Sequence, residues 1–464
     1  MKEAPAAGFQ QTLGDPRLQL AIYSATRRLI DHRASAVDAA HLPDYQELRT
    51  RANEIKKHTI ENLDYYLEQL ESNVVAHGGQ VVFCRSGEEA TDFVLGLAKE
   101  RGARLIVKSK SMTTEEIHFN ERLERHQLEA VETDLGEYIL QLAHQRPYHI
   151  VAPALHLTRY DVADLFSKTL GVEKEVVPEN QTKIARAALR EKFLKADIGV
   201  TGANFLVADS GAVVLVENEG NARLSTSAPK IHIAVAGIEK VIPRAQDLGV
   251  FLDLLGRSAT GQPLTVYTSF LSGPRRAGEI DGPDEFYVVL LDNGRTKLLR
   301  DPEKRQSLYC IRCGACLNHC PVYRKIGGHN YPWVYSGPIG AIITPQFHGI
   351  TEDGWLPFAS SLCGACAEVC PVKIEIPKLL LKLREEVTQA KQREGSGGAE
   401  RWAFRMWAWM MTHPKMYRLL ARVGAWFAPV LPKIGPLRSW ARQRELPAIP
   451  SRSFHQLWAE RRRP

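Results

Sequence analysis

Seven of the eight cysteines fall between Cys310 and Cys370, in two runs: CIRCGACLNHCP at 310–321 and CGACAEVCP at 363–371. The first run is spaced Cys-x2-Cys-x2-Cys-x3-Cys-Pro. Thiolates three residues apart let one loop reach three irons of a cubane iron–sulfur cluster, and the fourth cysteine is carried past that cube to the other cluster of a two-cluster module. Gly314 and Gly364 allow the backbone close to inorganic sulfide, where a Cβ would crowd it. Pro321 and Pro371 turn the chain away after the fourth cysteine. The second run repeats the first with one change, Ser360 in place of a leading cysteine. The chemistry implied is one-electron transfer.

Other uses of cysteine fit less well. Structural zinc sites pair their ligands two and two, whereas here three cysteines at period three precede Cys-Pro. A disulfide framework belongs to small secreted domains, and this chain has 464 residues and an N-terminus, MKEAPAAGFQ, without the apolar stretch of a signal peptide. The expected location is therefore the cytoplasm. Cys84, in the apolar run VVFC, stands alone and reads as a buried core thiol.

These ligands need elements to hold them. Leu18–Arg33 and Asp44–Leu70 carry apolar residues at helical intervals, so 1–69 reads as a helical segment. Over 70–300, short β-branched runs alternate with helical patterns, which argues for an α/β domain with a largely parallel sheet. The expected strands are Gln80–Cys84, Arg104–Lys108, His149–Pro153, Ile198–Val200, Ala212–Glu217 and Ile231–Ala236. The expected helices are Gly87–Arg101, Thr113–His126, Glu137–Arg146, Tyr160–Leu170 and Thr182–Lys195. No Gly-x-Gly-x-x-Gly occurs, so a Rossmann dinucleotide site has no support. Residues 301–390 form the cluster module, with a long insert, GGHNYPWVYSGPIGAIITP, between its two runs.

The remainder, 391–464, is a linker and a basic tail. Residues 401–464 hold thirteen Lys+Arg against two Asp+Glu, so the net charge of +7 resides in the tail and the other 400 residues are net acidic. Its Arg, Trp, Met and Leu on helical spacing leave three readings open: docking to a partner protein, lying on an anionic membrane surface, or a self-packed lid. Nucleic acid has no recognition motif behind it. The longest apolar stretch near the end, Val423–Pro432, is about half of a membrane span, so contact with a membrane would be peripheral.

The CGAC motifs, the SGPIGAIITP insert and the VADSGAVVLVENEGNARL segment together resemble the lactate utilization protein B family, over nearly the whole chain. That resemblance implies an α/β domain of the ribose-phosphate isomerase and CoA-transferase type, a helical two-cluster ferredoxin-type module, and a role in oxidising L-lactate to pyruvate with two companion proteins. Carried over by position, Cys310, Cys313, Cys316 and Cys370 hold one [4Fe–4S] cluster, and Cys320, Cys363 and Cys366 hold a second that lacks a fourth cysteine. Ser360 Oγ, Ser361, His348, a partner residue or solvent could complete it; Ser360 could equally be a helix cap or loop hydroxyl. Three cysteine ligands suggest interconversion of this second cluster with a [3Fe–4S] form. The tail is expected to meet the companion proteins.

A competing function keeps the clusters structural or regulatory and makes the α/β domain a binder of acyl-CoA or a small anion. Lys108 and Lys110 in KSKSMTTEE follow a strand and open a helix, where backbone N–H groups attract anions, although capping by Thr113 or Thr114 explains the same letters. Glu217-Asn218-Glu219-Gly220 loosely resembles the glutamate turn of CoA transferases, or is a turn built from Asn and Gly. His156, His232 and Asp209, lone polar residues beside strands, read as structural.

Overall fold

The computed structural model describes residues 6–395, 398–427 and 452–461. Residues Met1–Val387 form one compact unit and Thr388–Pro464 a second. In the first, six parallel strands make a sheet ordered β1-β10-β7-β4-β2-β3: β1 (Gln80–Cys84), β2 (Leu105–Lys108), β3 (Glu129–Glu132), β4 (Ile198–Thr201), β7 (Ile231–Gly237) and β10 (Glu285–Leu291). A smaller mixed sheet, β8-β5-β6-β9, is made of β5 (Phe205–Val207), β6 (Ala212–Glu217), β8 (Val241–Ile242) and β9 (Tyr267–Leu271).

Strand side chains alternate across the pleat, and a parallel sheet covered on both faces is apolar on both. β7 is buried throughout. Its Ile231, Ile233 and Val235 join the helix Gly87–Arg101 through Ala90, Val94 and Leu97. Its Ala234 and Ala236 face Leu70 and Val74 on the other side. The helix Gly87–Arg101 lies where its spacing predicts. Ser86 Oγ accepts from Glu89 N–H at its start, and Gly102, at φ 64°, ends it.

Several expectations are corrected. His149–Pro153 is a buried loop: Tyr148 N–H donates to Pro153 O, and His149 Nδ1 accepts from Val151 N–H and Ala152 N–H, so the backbone is satisfied without a neighbouring strand. β3, β5, β8, β9 and β10 were not expected. Thr113–His126 divides into Met112–Glu116 and Phe119–Arg125, with His118 at φ 52° between them. Asp44–Leu70 divides at Asn62 into Tyr45–Glu61 and Leu63–Ala76.

A second, larger core runs from Tyr45, Ala52 and Ile60 of the N-terminal helices, through Phe205 and Phe251, to Leu308–Leu383 of the cysteine-bearing segment. Helical residues near 1–69 and the segment after 300 therefore share one interior with the smaller sheet. A buried ionic network fixes the joint. Arg295, just after β10, is fully buried and donates in bidentate fashion to Glu116 at 2.8 and 2.9 Å and to Glu239 at 2.5 Å. Tyr335 from the long insert donates to Glu116 at 2.7 Å, and Arg312 from the first cysteine loop reaches Glu239 at 3.5 Å. Gly237 is required here, because a Cβ would overlap Glu239 and Arg295.

The second unit has helices Gly398–Thr412, Pro414–Phe427 and Phe454–Arg461. Trp402, Phe404, Trp407 and Trp409 are exposed on the first of them. Among the described residues no helix is long and apolar enough to cross a membrane.

Removing one partner of a buried pair leaves an uncompensated charge, at a cost of about 3–5 kcal/mol. Arg295→Met should therefore lower unfolding free energy by about that much, measured by urea titration; a loss below about 1 kcal/mol would contradict the network's role. Glu239 carries a pH signature. Burial opposes its charge, but Arg295 and Arg312 outweigh that and hold it down to about 2, against an ordinary 4.5. Its stabilisation should be fully present above about pH 4.5 and fade as pH falls toward 2. Glu239→Gln should flatten the acid limb of the stability profile in that window.

Candidate iron–sulfur centres and the adjoining cleft

The two cysteine runs fold as two copies of one loop, fifty residues apart. The residue before Cys313 and the residue before Cys363 are both left-handed, Arg312 at φ 61° and Leu362 at φ 55°, and so is the glycine after each cysteine, Gly314 at φ 74° and Gly364 at φ 87°. Left-handed backbone is rare for a non-glycine residue and marks an imposed local geometry. In the first loop Arg312 N–H donates to Cys310 Sγ at 3.4 Å. In the second, Leu362 N–H donates to Ser360 Oγ at 3.1 Å. Ser360 thus makes the hydrogen bond that Cys310 makes. No helix begins beside it, since Gly364 precedes the short helix Ala365–Glu368, so the helix-cap alternative is set aside.

The thiols interact in two sets. Burial pushes the Cys316 thiol well up, Cys310, Cys313 and Cys370 raise it further, and Cys366 of the other set adds the smallest share. Cys313 is pushed up to about 12 by burial, with Cys310 and Cys370 contributing. Cys366, also near 12, responds to burial and then to Cys320 and Cys363. None of the eight cysteines is in a disulfide; Cys363 is exposed and Cys84 is buried at the end of β1. Burial lifts Cys84 to about 11, as for a core thiol.

Cys310, Cys313, Cys316 and Cys370 line one small cavity of about 20 Å³, walled by Ile150, Ile339, Val372 and Ile374. Tyr323 N–H donates to Cys320 Sγ at 3.4 Å and Ile374 N–H to Cys370 Sγ at 3.3 Å. Four thiols around a mainly apolar cavity, with backbone N–H groups aimed at sulfur, fit an iron–sulfur cluster. Among the described residues no three His, Cys, Asp or Glu converge tightly enough to hold a single ion.

The N-terminal helices secure the second Cys-Pro turn. Arg49 Nε donates to Cys370 O at 2.9 Å, Arg33 Nη2 to Val369 O at 3.2 Å and Asn53 to Val372 O at 2.7 Å. Cys310 also has Lys56, Lys240 and Arg312 among its electrostatic neighbours.

Beside the first loop lies an open cleft of about 310 Å³, reached by Arg312, Cys313 and Tyr335 and roofed by the ends of β4 and β6. The candidate residues of the α/β domain divide around it. Lys108 is buried and paired with Glu132 at 2.7 Å and Glu115 at 2.9 Å, so it is not free for an anion. Burial would lower its ammonium, but Glu132, Glu115 and Glu137 hold it above the ordinary value. Lys110 lines the cleft. Ser111, rather than Thr113 or Thr114, caps the helix, its Oγ accepting from Thr114 N–H. Glu217 accepts from Ala222 and Arg223 N–H at 2.7 and 2.9 Å, and Gly220 at φ 84° begins the helix Asn221–Ser227. His232 is buried on Thr201 Oγ1 at 2.9 Å, and Asp209 accepts from Ala245 N–H at 3.1 Å. His156 stacks on Tyr148 with centroids 4.4 Å apart. His348 pairs with Asp353 at 2.8 Å, and Ser361 is exposed.

Lys240 and the Glu116–Arg295–Glu239 network escaped the sequence. The available signal was Glu239-Lys240 inside the apolar run AVAGIEKVIP, where charge is costly to bury without a purpose.

Comparison with known proteins agrees with this arrangement. The LUD domain matches residues 67–291, a 4Fe-4S dicluster domain matches 306–374, and the family described as lactate utilisation protein B, C-terminal, matches 382–463. The chain is therefore an α/β LUD-domain protein with an iron–sulfur dicluster domain. Lactate utilization protein B of Bacillus licheniformis is 46% identical over 455 residues, covering 96% of this chain and 93% of its own. The same-named protein of Bacillus thuringiensis is 46% identical over 451 residues, covering 96% and 94%. The chain belongs to the lactate utilization protein B family. A solved DUF162 family protein from Deinococcus radiodurans covers 49% of this chain and 98% of its own at 12% identity, with a TM-score of 0.28, too slight a likeness to carry an argument.

The two loop glycines make a paired test. Both are left-handed, but a Cβ at Gly314 would also stand 3.0 Å from Val151 and 3.1 Å from His149, whereas Gly364 faces open space. Gly364→Ala should cost about 1 kcal/mol of backbone strain. Gly314→Ala should cost more and lower iron content per chain, measured by thermal unfolding and iron analysis. Equal effects would show that His149 and Val151 do not confine the first loop.

Proposed function

We propose that this chain is the iron–sulfur electron-transfer subunit of a system that oxidises L-lactate to pyruvate and so permits growth on lactate. One observation carries the reading: two copies of a single loop gather two interacting sets of thiols, and the first set opens through Arg312 and Cys313 onto the cleft of the α/β domain. Cys310, Cys313, Cys316 and Cys370 would hold one [4Fe–4S] cluster, and Cys320, Cys363 and Cys366, with Ser360, the other; such clusters accept and donate single electrons. The protein's part is electrostatic and steric. The N–H groups of Arg312 and Ile374 stabilise negative sulfur, Lys56, Lys240 and Arg312 offset negative charge near Cys310, and the apolar wall excludes water, which strengthens each interaction.

The remaining parts of the reading are proposals of the same kind. The α/β domain, 70–300, belongs to the ribose-phosphate isomerase and CoA-transferase type, the helical segment 1–69 braces the module 301–390, and the basic tail 391–464 docks on companion proteins. The site of action is the cytoplasm, where thiols stay reduced. The acyl-CoA alternative lacks a free nucleophile at Glu217, whose carboxylate is engaged by a helix N-terminus.

Deleting the gene for this chain should abolish growth on L-lactate and spare growth on pyruvate. Normal growth on lactate, in a host with no second lactate dehydrogenase, would refute the function.

The ligand sets are tested by electron paramagnetic resonance. Cys370→Ala and Cys313→Ala should damage one signal and Cys320→Ala the other; loss of the same signal in Cys313→Ala and Cys320→Ala would overturn the crossing. A hydroxyl oxygen is a harder ligand for iron than a thiolate, so brief air exposure should convert the second cluster first to a [3Fe–4S] form. Ser360→Cys should suppress that conversion and Ser360→Ala should speed it. An unchanged rate in Ser360→Ala would reduce Ser360 to a loop hydroxyl.

A further inference from the structure

The first two helices of the second unit, Gly398–Thr412 and Pro414–Phe427, leave their apolar side chains in water. From 401 to 423 every residue except Met410 and Met416 is exposed. On the first helix Trp402, Phe404, Met406, Trp407, Trp409 and Met411 are each 44–66% exposed. Single exposed apolar residues are ordinary, but a concentration of large ones marks a surface that is covered in use.

The helical repeat sorts these residues by side. Arg401, Arg405, Ala408 and Thr412 fall on one narrow stripe, while the large apolar side chains of the first helix occupy roughly 220° of its circumference. On the second helix Met416, Leu419, Leu420 and Val423 form an apolar stripe, and Lys415, Arg418 and Arg422 a basic one beside it. Charge is one-sided. Arg401, Arg405, Lys415, Arg418 and Arg422 stand against Glu400 alone, and Glu400 is paired with Lys391 at 3.8 Å. None of the five cations has an ion-pair partner among the described residues. The chain before residue 401 is net acidic, so this positive charge is local to the tail.

These features choose among covers. A helix docked in a protein groove is read through one apolar stripe, and a groove would leave much of the wide apolar arc of the first helix wet. A second copy of the same helices would set like charge against like charge. A lipid interface meets both demands. Its acyl boundary surrounds all but the stripe of Arg401 and Arg405, whose long side chains reach up to the headgroups, and anionic headgroups answer the five cations. Tryptophan suits that boundary, having an apolar ring and a polar N–H. No described helix is long and apolar enough to cross a membrane, so the contact lies in the plane of the interface.

We propose that the helices Gly398–Thr412 and Pro414–Phe427 dock on a membrane surface containing anionic phospholipid. The inference goes beyond the function proposed above and does not rest on it. It claims these two helices only and leaves the rest of the tail to the companion proteins.

Anaerobically purified full-length protein with its clusters should be sedimented with vesicles of phosphatidylcholine, alone or mixed with phosphatidylglycerol. It should bind the mixed vesicles at least tenfold more tightly than the neutral ones, and less tightly as salt is raised. Trp402→Ser combined with Trp407→Ser and Trp409→Ser should weaken binding to mixed vesicles about tenfold or more, as should Lys415→Gln combined with Arg418→Gln and Arg422→Gln. Iron content and resonance signals should be unchanged in both. Exchanging the same three cations as Lys415→Arg, Arg418→Lys and Arg422→Lys keeps the charge and should keep the binding, which separates lost charge from a helix that fails to form. Equal binding to neutral vesicles, unchanged binding in both weakened variants, or lost binding in the charge-keeping variant would each overturn the inference. Absent binding to mixed vesicles would overturn it too and return both helices to a protein partner.

Discussion

The arrangement depends on one buried carboxylate pair held by one buried guanidinium. Glu116 follows β2, Glu239 follows β7 and Arg295 follows β10, so the three side chains meet above the same edge of the parallel sheet. Desolvating these charges is expensive, and such a network contributes less to net stability than its short distances suggest. Its value lies in geometry. Glu239 also takes Arg312, and Glu116 also takes Tyr335, so the first cysteine loop and the long insert are fastened to strand ends through the same two carboxylates. The guanidinium of Arg312 lies 4.5 Å from the Tyr335 ring centroid, which closes the circuit.

From that constraint the surroundings of the thiols follow. Arg312, whose side chain reaches Glu239, sits in the left-handed turn that aims its N–H at Cys310 Sγ. Lys56, buried and lowered to about 7 mainly by desolvation, donates to the Glu239 carbonyl at 2.5 Å and so brings the N-terminal helix Tyr45–Glu61 to the same place. Arg49 of that helix then reaches the carbonyl of Cys370, fifty-odd residues beyond the first loop. The two ends of the thiol set are thereby positioned by elements far apart in sequence. In a low-dielectric interior each of these charges acts at greater strength than it would in water.

How much of this was legible depends on the range of the interaction. Local signals were readable: the cysteine spacing, the glycines that follow it, strands β1 and β6, and the helix Gly87–Arg101. β10 was passed over even though EFYVVLL is a buried parallel-strand sequence, because it stands beyond a long irregular connection. β3, as EAVE, is four residues with a charge at each end, and its Glu132 is there to meet Lys108. The apolar run His149–Pro153 looked like a strand, and no local feature showed that histidine and proline would satisfy its backbone instead. The network was illegible for a simpler reason. Glu116, Glu239, Arg295, Arg312 and Tyr335 carry no spacing signal at all, and only the fold makes them neighbours.

The duplication itself shows why the two loops, alike in backbone, differ in surroundings. At the left-handed position the first loop has Arg312, which turns into the ionic network and the cleft, and the second has Leu362, which packs on the apolar core. Where the first begins with Cys310 in contact with buried cations, the second begins with half-buried Ser360 and an exposed Cys363. Cys370 and Cys320 cross between the loops, each grouped electrostatically with thiols of the other. One set of thiols thus faces the cleft and the charges of the α/β domain, while the other reaches the surface. In the proposed function that polarity sets a direction, with the first set of thiols beside the α/β domain and the second open to an external acceptor.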